Sequence, residues 1–339
     1  MNILITDGAG FIGTSLTKKL LEDGHNVFIV DDLSTGDYRN IITLDEFKRK
    51  LASSGSSVNL QWIKRNIISS LDSQKGSEGF NFEQIYHLAC PASPPKYYLD
   101  PLKTLDVCYL GTKNILELAK YFNARVLFTS TSEIYGDPLE HPQKESYNGN
   151  VNPVSPRSVY DEGKRVAETL VSEYGRQGLD TRIARIFNTY GPYMDPNDGR
   201  VVTNFIGQYL HGKPFTIYGD GKQTRSFCYI DDTVDGLIAL MNSDKFINEP
   251  VNIGNPEEVS MVDLACEIYT SMKMPLRQAG RLPMVDLVMR PMPVSDPAKR
   301  KPDISKMESI GWTPKVSLRD GLKKTIEYFE SKKGEFHEV

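Results

Sequence analysis

Cysteine is scarce and scattered: the 339 residues hold only Cys90, Cys108, Cys228 and Cys266. No two of them have the spacing of a metal knuckle, which excludes a sequence-evident zinc site or disulfide scaffold and fits a reducing cytoplasm. Long apolar runs are missing as well; none approaches the roughly 18 residues of a membrane span. The formal net charge is only -4, so composition offers no nucleic-acid or membrane partner. There is no internal repeat and no low-complexity tract. The opening run from Met1 to Thr6 reads as a first strand rather than a secretion signal. What is present, 39% hydrophobic and 25% charged residues, describes a soluble globular enzyme larger than one usual domain.

The first strand, Asn2 to Thr6, leads into Asp7-Gly8-Ala9-Gly10-Phe11-Ile12-Gly13 and then an amphipathic helix. Strand, Gly-x-Gly-x-x-Gly, helix is the context of a dinucleotide site: bare backbone approaches a pyrophosphate, and the helix N-terminus supplies amides and partial positive charge. The next strand, Asn26 to Val30, ends in Asp31-Asp32, about 20 residues on, where a carboxylate takes ribose hydroxyls and repels a 2′-phosphate. The cofactor expected is therefore NAD. Further strands are expected at Leu60 to Ile63, Gln84 to Ala89, Arg125 to Thr129 and Thr181 to Ile186. Ser70 to Phe80 reads as a polar loop and Pro101 to Tyr121 as one long helix. The proline cluster Cys90-Pro91-Ala92-Ser93-Pro94-Pro95 can continue neither strand nor helix, so it forms a loop at a strand's carboxyl end, where open α/β sheets hold ligands.

Tyr160 and Lys164 stand four apart in a helical stretch and so share a face. A nearby ammonium favours the phenolate, and the expected result is a tyrosine whose pKa is lowered enough to act as a base. Ser130 to Glu133, at the tip of the fifth strand, offers hydroxyls and a carboxylate. After residue 186 the alternation changes. Phe187 to Pro192 reads as a loop, Val201 to Leu210 as a helix, Phe215 to Tyr218 as a short strand, Thr233 to Met241 as a helix and Pro250 to Gly254 as a returning strand. The expected architecture is α/β, a Rossmann-type doubly wound parallel sheet over 1–186, with returning elements near 226–254, and a smaller interleaved α/β substrate domain over 187–339. Arg225 and the cluster Lys299-Arg300-Lys301 suit diphosphates or carboxylates, because the guanidinium fork binds two oxygens at once.

Several longer stretches resemble one family over nearly the whole chain: His87 to Pro95, Thr131 to Pro138, Pro156 to Lys164, Ala184 to Pro192, Asn197 to Val202, Gln223 to Arg225 and Lys299 to Asp303. They resemble extended short-chain dehydrogenase/reductases and, within them, the UDP-glucuronate decarboxylases. The resemblance implies that Tyr160, Lys164, Thr131, Glu133 and Arg300 carry catalysis. It implies that Gly8, Gly10, Phe11, Ile12 and Gly13, with Asp31, Asp32, Asn66, Ile67, Leu88 and Thr129, join Tyr160 and Lys164 around NAD. It implies substrate contacts from Pro91, Ser93, Asn188, Arg200, Tyr218, Gln223, Arg225 and Arg300, with Tyr190 a further neighbour of the uridine. The implied reaction oxidises the sugar at C4, releases CO₂ from the resulting β-keto acid, and re-reduces C4. A cytoplasmic homodimer, with no metal, no nucleic acid and no membrane, is expected.

The chain departs from the family pattern in places. Asp7 stands where relatives have the first glycine of the phosphate turn, which implies weaker and more exchangeable NAD⁺. Asn66 replaces an aspartate near adenine, Asp106 and Cys108 replace a lysine and an asparagine that bear on substrate contact, and Tyr193 replaces an arginine. Residues 37–59 form a longer segment, expected over the adenosine end or an oligomer surface. The alternatives are a nucleotide-sugar 4-epimerase, a 4,6-dehydratase, or a degenerate cofactor-binding protein. Ser132, where dehydratases carry Asp, argues against dehydration.

Overall fold

The structure is a computed structural model and describes residues 1–69, 81–272, 286–292 and 299–335. The expected loop over 70–80 lies outside them. The first half runs β1 (Asn2–Thr6), α1 (Phe11–Glu22), β2 (Asn26–Asp31), α2 (Tyr38–Ser53), β3 (Leu60–Lys64), β4 (Gln84–His87), α3 (Pro94–Leu99), α4 (Pro101–Asp106), α5 (Thr112–Phe122), β5 (Arg125–Thr131), α6 (Ser158–Arg176) and β6 (Thr181–Ile186). The later elements are β7 (Thr189–Tyr190), α7 (Val201–Leu210), β8 (Phe215–Tyr218), β9 (Thr224–Ser226), β10 (Cys228–Tyr229), α8 (Ile230–Asn242), β11 (Pro250–Ile253), β12 (Glu258–Ser260), α9 (Met261–Ser271), β13 (Leu287–Arg290), β14 (Lys299–Arg300), α10 (Ser305–Glu308) and α11 (Leu318–Glu330).

Among the described residues the central sheet has seven strands in the order β11-β6-β5-β4-β1-β2-β3, all parallel. Its strands are nearly continuous apolar runs because both faces are covered. Alternate residues feed two cores: Ile3, Ile5, Val27 and Ile29 join one cluster with residues of α1, α8 and α11, and Leu4, Phe28, Val30 and Phe128 join the other with α5 and α6. The winding direction reverses between β1 and β4, so the carboxyl ends of these strands border the crevice where such sheets take ligands. Smaller pairings cover that crevice: β12-β9-β14, β8 with β13, and β7 with β10.

Two expectations need correction. Pro101 to Tyr121 is not an uninterrupted α-helix: α4 passes through a π-turn, Val107–Gly111, before α5, and such single-turn bulges accommodate one extra residue. Phe187 to Pro192 is not wholly loop, because Thr189 and Tyr190 pair in parallel with Cys228 and Tyr229.

Candidate active site

A cleft of about 1200 Å³ runs along the carboxyl edge of the sheet, from the turn after β1 to Arg300. Tyr160 and Lys164, one turn apart on α6, both line it. The Lys164 Nζ donates to the Thr129 carbonyl at 2.8 Å and lies 4.8 Å from the centre of the Phe128 ring. Tyr97 stacks on Tyr160, with ring centres 5.4 Å apart and planes 6° from parallel. The expected lowering of the Tyr160 pKa is not what this packing produces. Burial pushes it well above its ordinary value, charge on Cys90 adds to the rise, and a hydrogen bond with Thr131 only partly offsets them. Low dielectric penalises the phenolate more than the neighbouring groups stabilise it.

Glu133 follows β5 in a single 3₁₀ turn, its amide capped by the Thr131 Oγ at 3.2 Å. Arg300 binds both its carboxylate oxygens, with Nη2 2.8 Å from Oε2, and Arg157 Nη2 reaches Oε2 at 2.5 Å. Burial alone would raise the Glu133 pKa. The Arg300 and Arg157 charges outweigh it and hold the carboxyl down at about 2. Asp161 has the opposite fate: burial, then the Glu133 charge, pushes it up to about 7, and its Oδ1 has no hydrogen-bond partner. Arg300 arrives on β14, which pairs in parallel with β9 and sets Arg300 opposite Arg225. Residues 133, 157, 225 and 300 meet only in the folded chain.

The turn after β1 is tight. A Cβ on Gly10 would sit 2.5 Å from the Asp7 carboxylate, and one on Gly13 would sit 2.1 Å from the Asp7 carbonyl oxygen. Gly8 packs on Ile29. Asp7 itself adopts φ 59, the left-handed region that disfavours a side chain. Burial, reinforced by Asp31, pushes its carboxyl well above the usual range. Gly10, Phe11 and Ile12 line the cleft beside it. Asp31 serves the turn's own backbone, accepting from Ala9 N at 2.9 Å and Leu33 N at 2.8 Å. Asp32 accepts from Asn66 Nδ2 at 2.9 Å, and these two with Asp31, Ile67 and Pro91 line a small adjoining cavity. This combination of close backbone and carboxylates fits a dinucleotide. The lengthened segment 37–59 is mostly α2. Its Asn40 Nδ2 donates to Ala9 O at 2.8 Å, bracing the phosphate turn.

Leu88, Thr129, Ser93, Asn188, Arg200, Tyr218, Gln223 and Arg225 also line the main cleft, and Pro91 lines only the small cavity. The Ser93 Oγ is buried without a hydrogen-bond partner. Arg200 pairs with Asp198 at 2.5 Å. Tyr190 is buried behind the cleft, its hydroxyl donating to Leu318 O at 3.1 Å. Asp106 and Cys108 do not line the cleft; Asp106 is exposed and Cys108 is buried in the π-turn. Tyr193, at φ 70, does line it. Sequence reasoning missed Arg157, Tyr97 and Lys96, whose Nζ lies 2.9 Å from Asp195 at the cleft wall. Arg157 stood in a stretch already singled out, three residues before Tyr160. Tyr97 and Lys96 carried no signal beyond following the proline loop.

The GDP-mannose 4,6 dehydratase family model matches residues 4–325. UDP-glucuronic acid decarboxylase 1 of Arabidopsis thaliana is 46% identical over 98% of this chain and 70% of its own length. UDP-glucuronic acid decarboxylase 1 of Xenopus tropicalis is 48% identical over 96% of this chain and 72% of its own. Among solved structures, UDP-glucuronic acid 4-epimerase from Bacillus cereus, in complex with UDP-glucuronic acid and NAD, superposes with a TM-score of 0.81 at 28% identity, over 98% of this chain and all of that one. On these likenesses the chain belongs to the UDP-glucuronic acid decarboxylase family.

Proposed function

We propose that this protein converts UDP-glucuronate to UDP-xylose and CO₂ in the cytoplasm, with NAD⁺ held in the turn after β1. The observation that carries the reading is the Glu133 cluster: a carboxylate gripped by Arg300 and Arg157 in the same cleft as Tyr160 and Lys164. Two arginines at the site suit a substrate that bears its own carboxylate.

Gly8, Gly10 and Gly13 give the pyrophosphate its backbone approach, and Asp32 and Asn66 face the adenosine. A bound nicotinamide would supply a reversible acceptor for the C4 hydride, so the cofactor would be unchanged over the whole cycle. Tyr160, as the phenolate that the Lys164 ammonium and the positive charge of a bound nicotinamide would favour against the effect of burial, takes the proton of the C4 hydroxyl, oriented by Thr131. With C4 a ketone, the bond from C5 to the carboxylate carbon breaks, CO₂ leaves, and the ketone oxygen receives the electron pair. Arg300 and Arg157 hold the carboxylate. Once they turn to the substrate, Glu133 loses the charges that keep its pKa low and can carry the proton to C5. Tyr160 then returns its proton as C4 is reduced. Asn188, Arg200 and Arg225 bind the nucleotide diphosphate.

A homodimer is part of this proposal. Leu102 on α4 and Tyr109 in the π-turn after it are 73% and 44% exposed, apolar surface that a second copy would cover. Sedimentation should give twice the chain mass. Purified protein incubated with UDP-glucuronate and NAD⁺ should release CO₂ and yield UDP-xylose. UDP-galacturonate without CO₂ would move the assignment to an epimerase, and no turnover at all would favour a degenerate binding protein.

A further inference from the structure

The cysteines, unremarkable by spacing, are not all apart in space. Cys90 opens the proline loop and Cys108 lies in the π-turn, and their sulfurs are 3.2 Å from one another. Both are buried, but Cys90 reaches the wall of the main cleft and of the small cavity beside it. Cys108 also packs on α6: a Cβ on Gly163 would lie 3.0 Å from its Sγ, one residue before Lys164. The pair thus joins the loop that carries Ser93 to the helix that carries Tyr160. The reaction proposed above uses neither sulfur.

The two thiols are unequal. Burial opposes ionisation of Cys90, but the hydrogen bond from Cys108 and the Lys164 charge outweigh it and hold Cys90 below the usual thiol range. The same hydrogen bond, with burial, pushes Cys108 well up. Cys228 is pushed up to about 12 by burial. A thiolate is the nucleophile in disulfide exchange, so Cys90, at the cleft wall, is the entry point.

We propose that Cys90 and Cys108 form an oxidation site at which a low-molecular-weight disulfide closes an internal disulfide and stops turnover. The Cys90 thiolate attacks the small disulfide, whose S–S bond breaks and releases one thiol. Cys108 then loses its proton and attacks the Cys90 sulfur, expelling the second thiol. The protein gives up two electrons and two protons, and the small disulfide is reduced to two thiols. Closing the gap from 3.2 Å to a bond of about 2.05 Å draws loop and helix together by roughly 1 Å. A shift of that size at a reacting centre costs about 10²-fold in rate.

The test uses the purified protein and oxidised glutathione. Trypsin places the two cysteines on separate peptides, spanning 76–96 and 104–113. After oxidation these should appear joined, two of the four cysteines should resist alkylation under denaturing conditions, and turnover should fall about 10²-fold and return with dithiothreitol. Cys108→Ser should stop at a mixed disulfide on Cys90, with no joined peptides. Alkylation of the parent alone decides the matter if the variant does not fold. Four alkylatable thiols after treatment, joined peptides involving Cys228 or Cys266 instead, or a 90–108 link with undiminished turnover would each overturn the proposal. Peptide joining is read without substrate, so its failure is separate from a failure of the decarboxylase reading.

Discussion

Two carboxyl groups line one cleft under opposite regimes. Asp7, in the turn after β1, is pushed well above its ordinary pKa by burial and by Asp31, and occupies a backbone conformation that favours glycine. Glu133, beneath the tip of β5, is also removed from water, yet two arginines hold it at about 2. Burial is common to both, and what differs is a compensating charge within hydrogen-bond reach. Burial shifts the Asp7 carboxyl toward its uncharged form, the direction that weakens repulsion toward a pyrophosphate. The ionised form at Glu133 keeps the arginines ordered for an incoming carboxylate.

Removing the compensation should have the largest effect. Arg300→Met leaves Glu133 with Arg157 alone and takes away a fork for the substrate; kcat/KM for UDP-glucuronate should fall about 10²–10³-fold, while NAD⁺ content stays that of the parent. Undiminished kcat/KM would place the cluster outside the chemistry.

A pH series on urea unfolding sharpens the same contrast at Glu133 and its neighbour Asp161. The folded pKa of Glu133 lies below its ordinary 4.5, at about 2, so its stabilisation is present above 4.5 and drains as pH falls toward 2. Asp161 is raised from 3.8 to about 7, so the native state holds a proton that the unfolded chain has released, and stability declines as pH rises through that window. Asp161→Asn should gain on the parent between those pH values and match it below them. Glu133→Gln should lose most at neutral pH and least in acid. Parallel pH curves for parent and variants would refute the contrast.

The smallest effect is expected at Asp7. Asp7→Gly relieves the left-handed backbone and should stabilise the chain by about 1 kcal/mol, read by thermal or urea unfolding, and should raise NAD⁺ affinity by calorimetry. Equal affinity in parent and variant would show that the neutral carboxyl costs the site nothing.

The cofactor half was legible because its signals are local. Asn2–Thr6, the glycines and Phe11–Glu22 follow one another within about twenty residues, and strand, turn and helix each leave a period or a required residue type. The π-turn at Val107–Gly111 left no such trace, since its residues continue a helical pattern. The two-residue strand β7 was equally silent, because it exists only through its pairing with β10.

The substrate half is a matter of approach between distant pieces. Glu133, Arg157 and Arg300 span 167 residues in sequence, and that they touch is settled by β14 pairing with β9. The direction of each pKa belongs to the same level: Tyr160 and Lys164 share a helical face by spacing, but burial and the charge of Cys90 decide which way the phenol shifts. So too with Cys90 and Cys108, eighteen positions apart and unrelated by any motif, whose sulfurs meet at 3.2 Å. Sequence by itself determined the alternation of strand and helix, the sheet and the phosphate turn, because these follow from propensity and period over short ranges. Which charges are paired, which are stranded and which thiols touch was decided only by packing, because electrostatics in a low-dielectric interior depends on distance in space rather than along the chain.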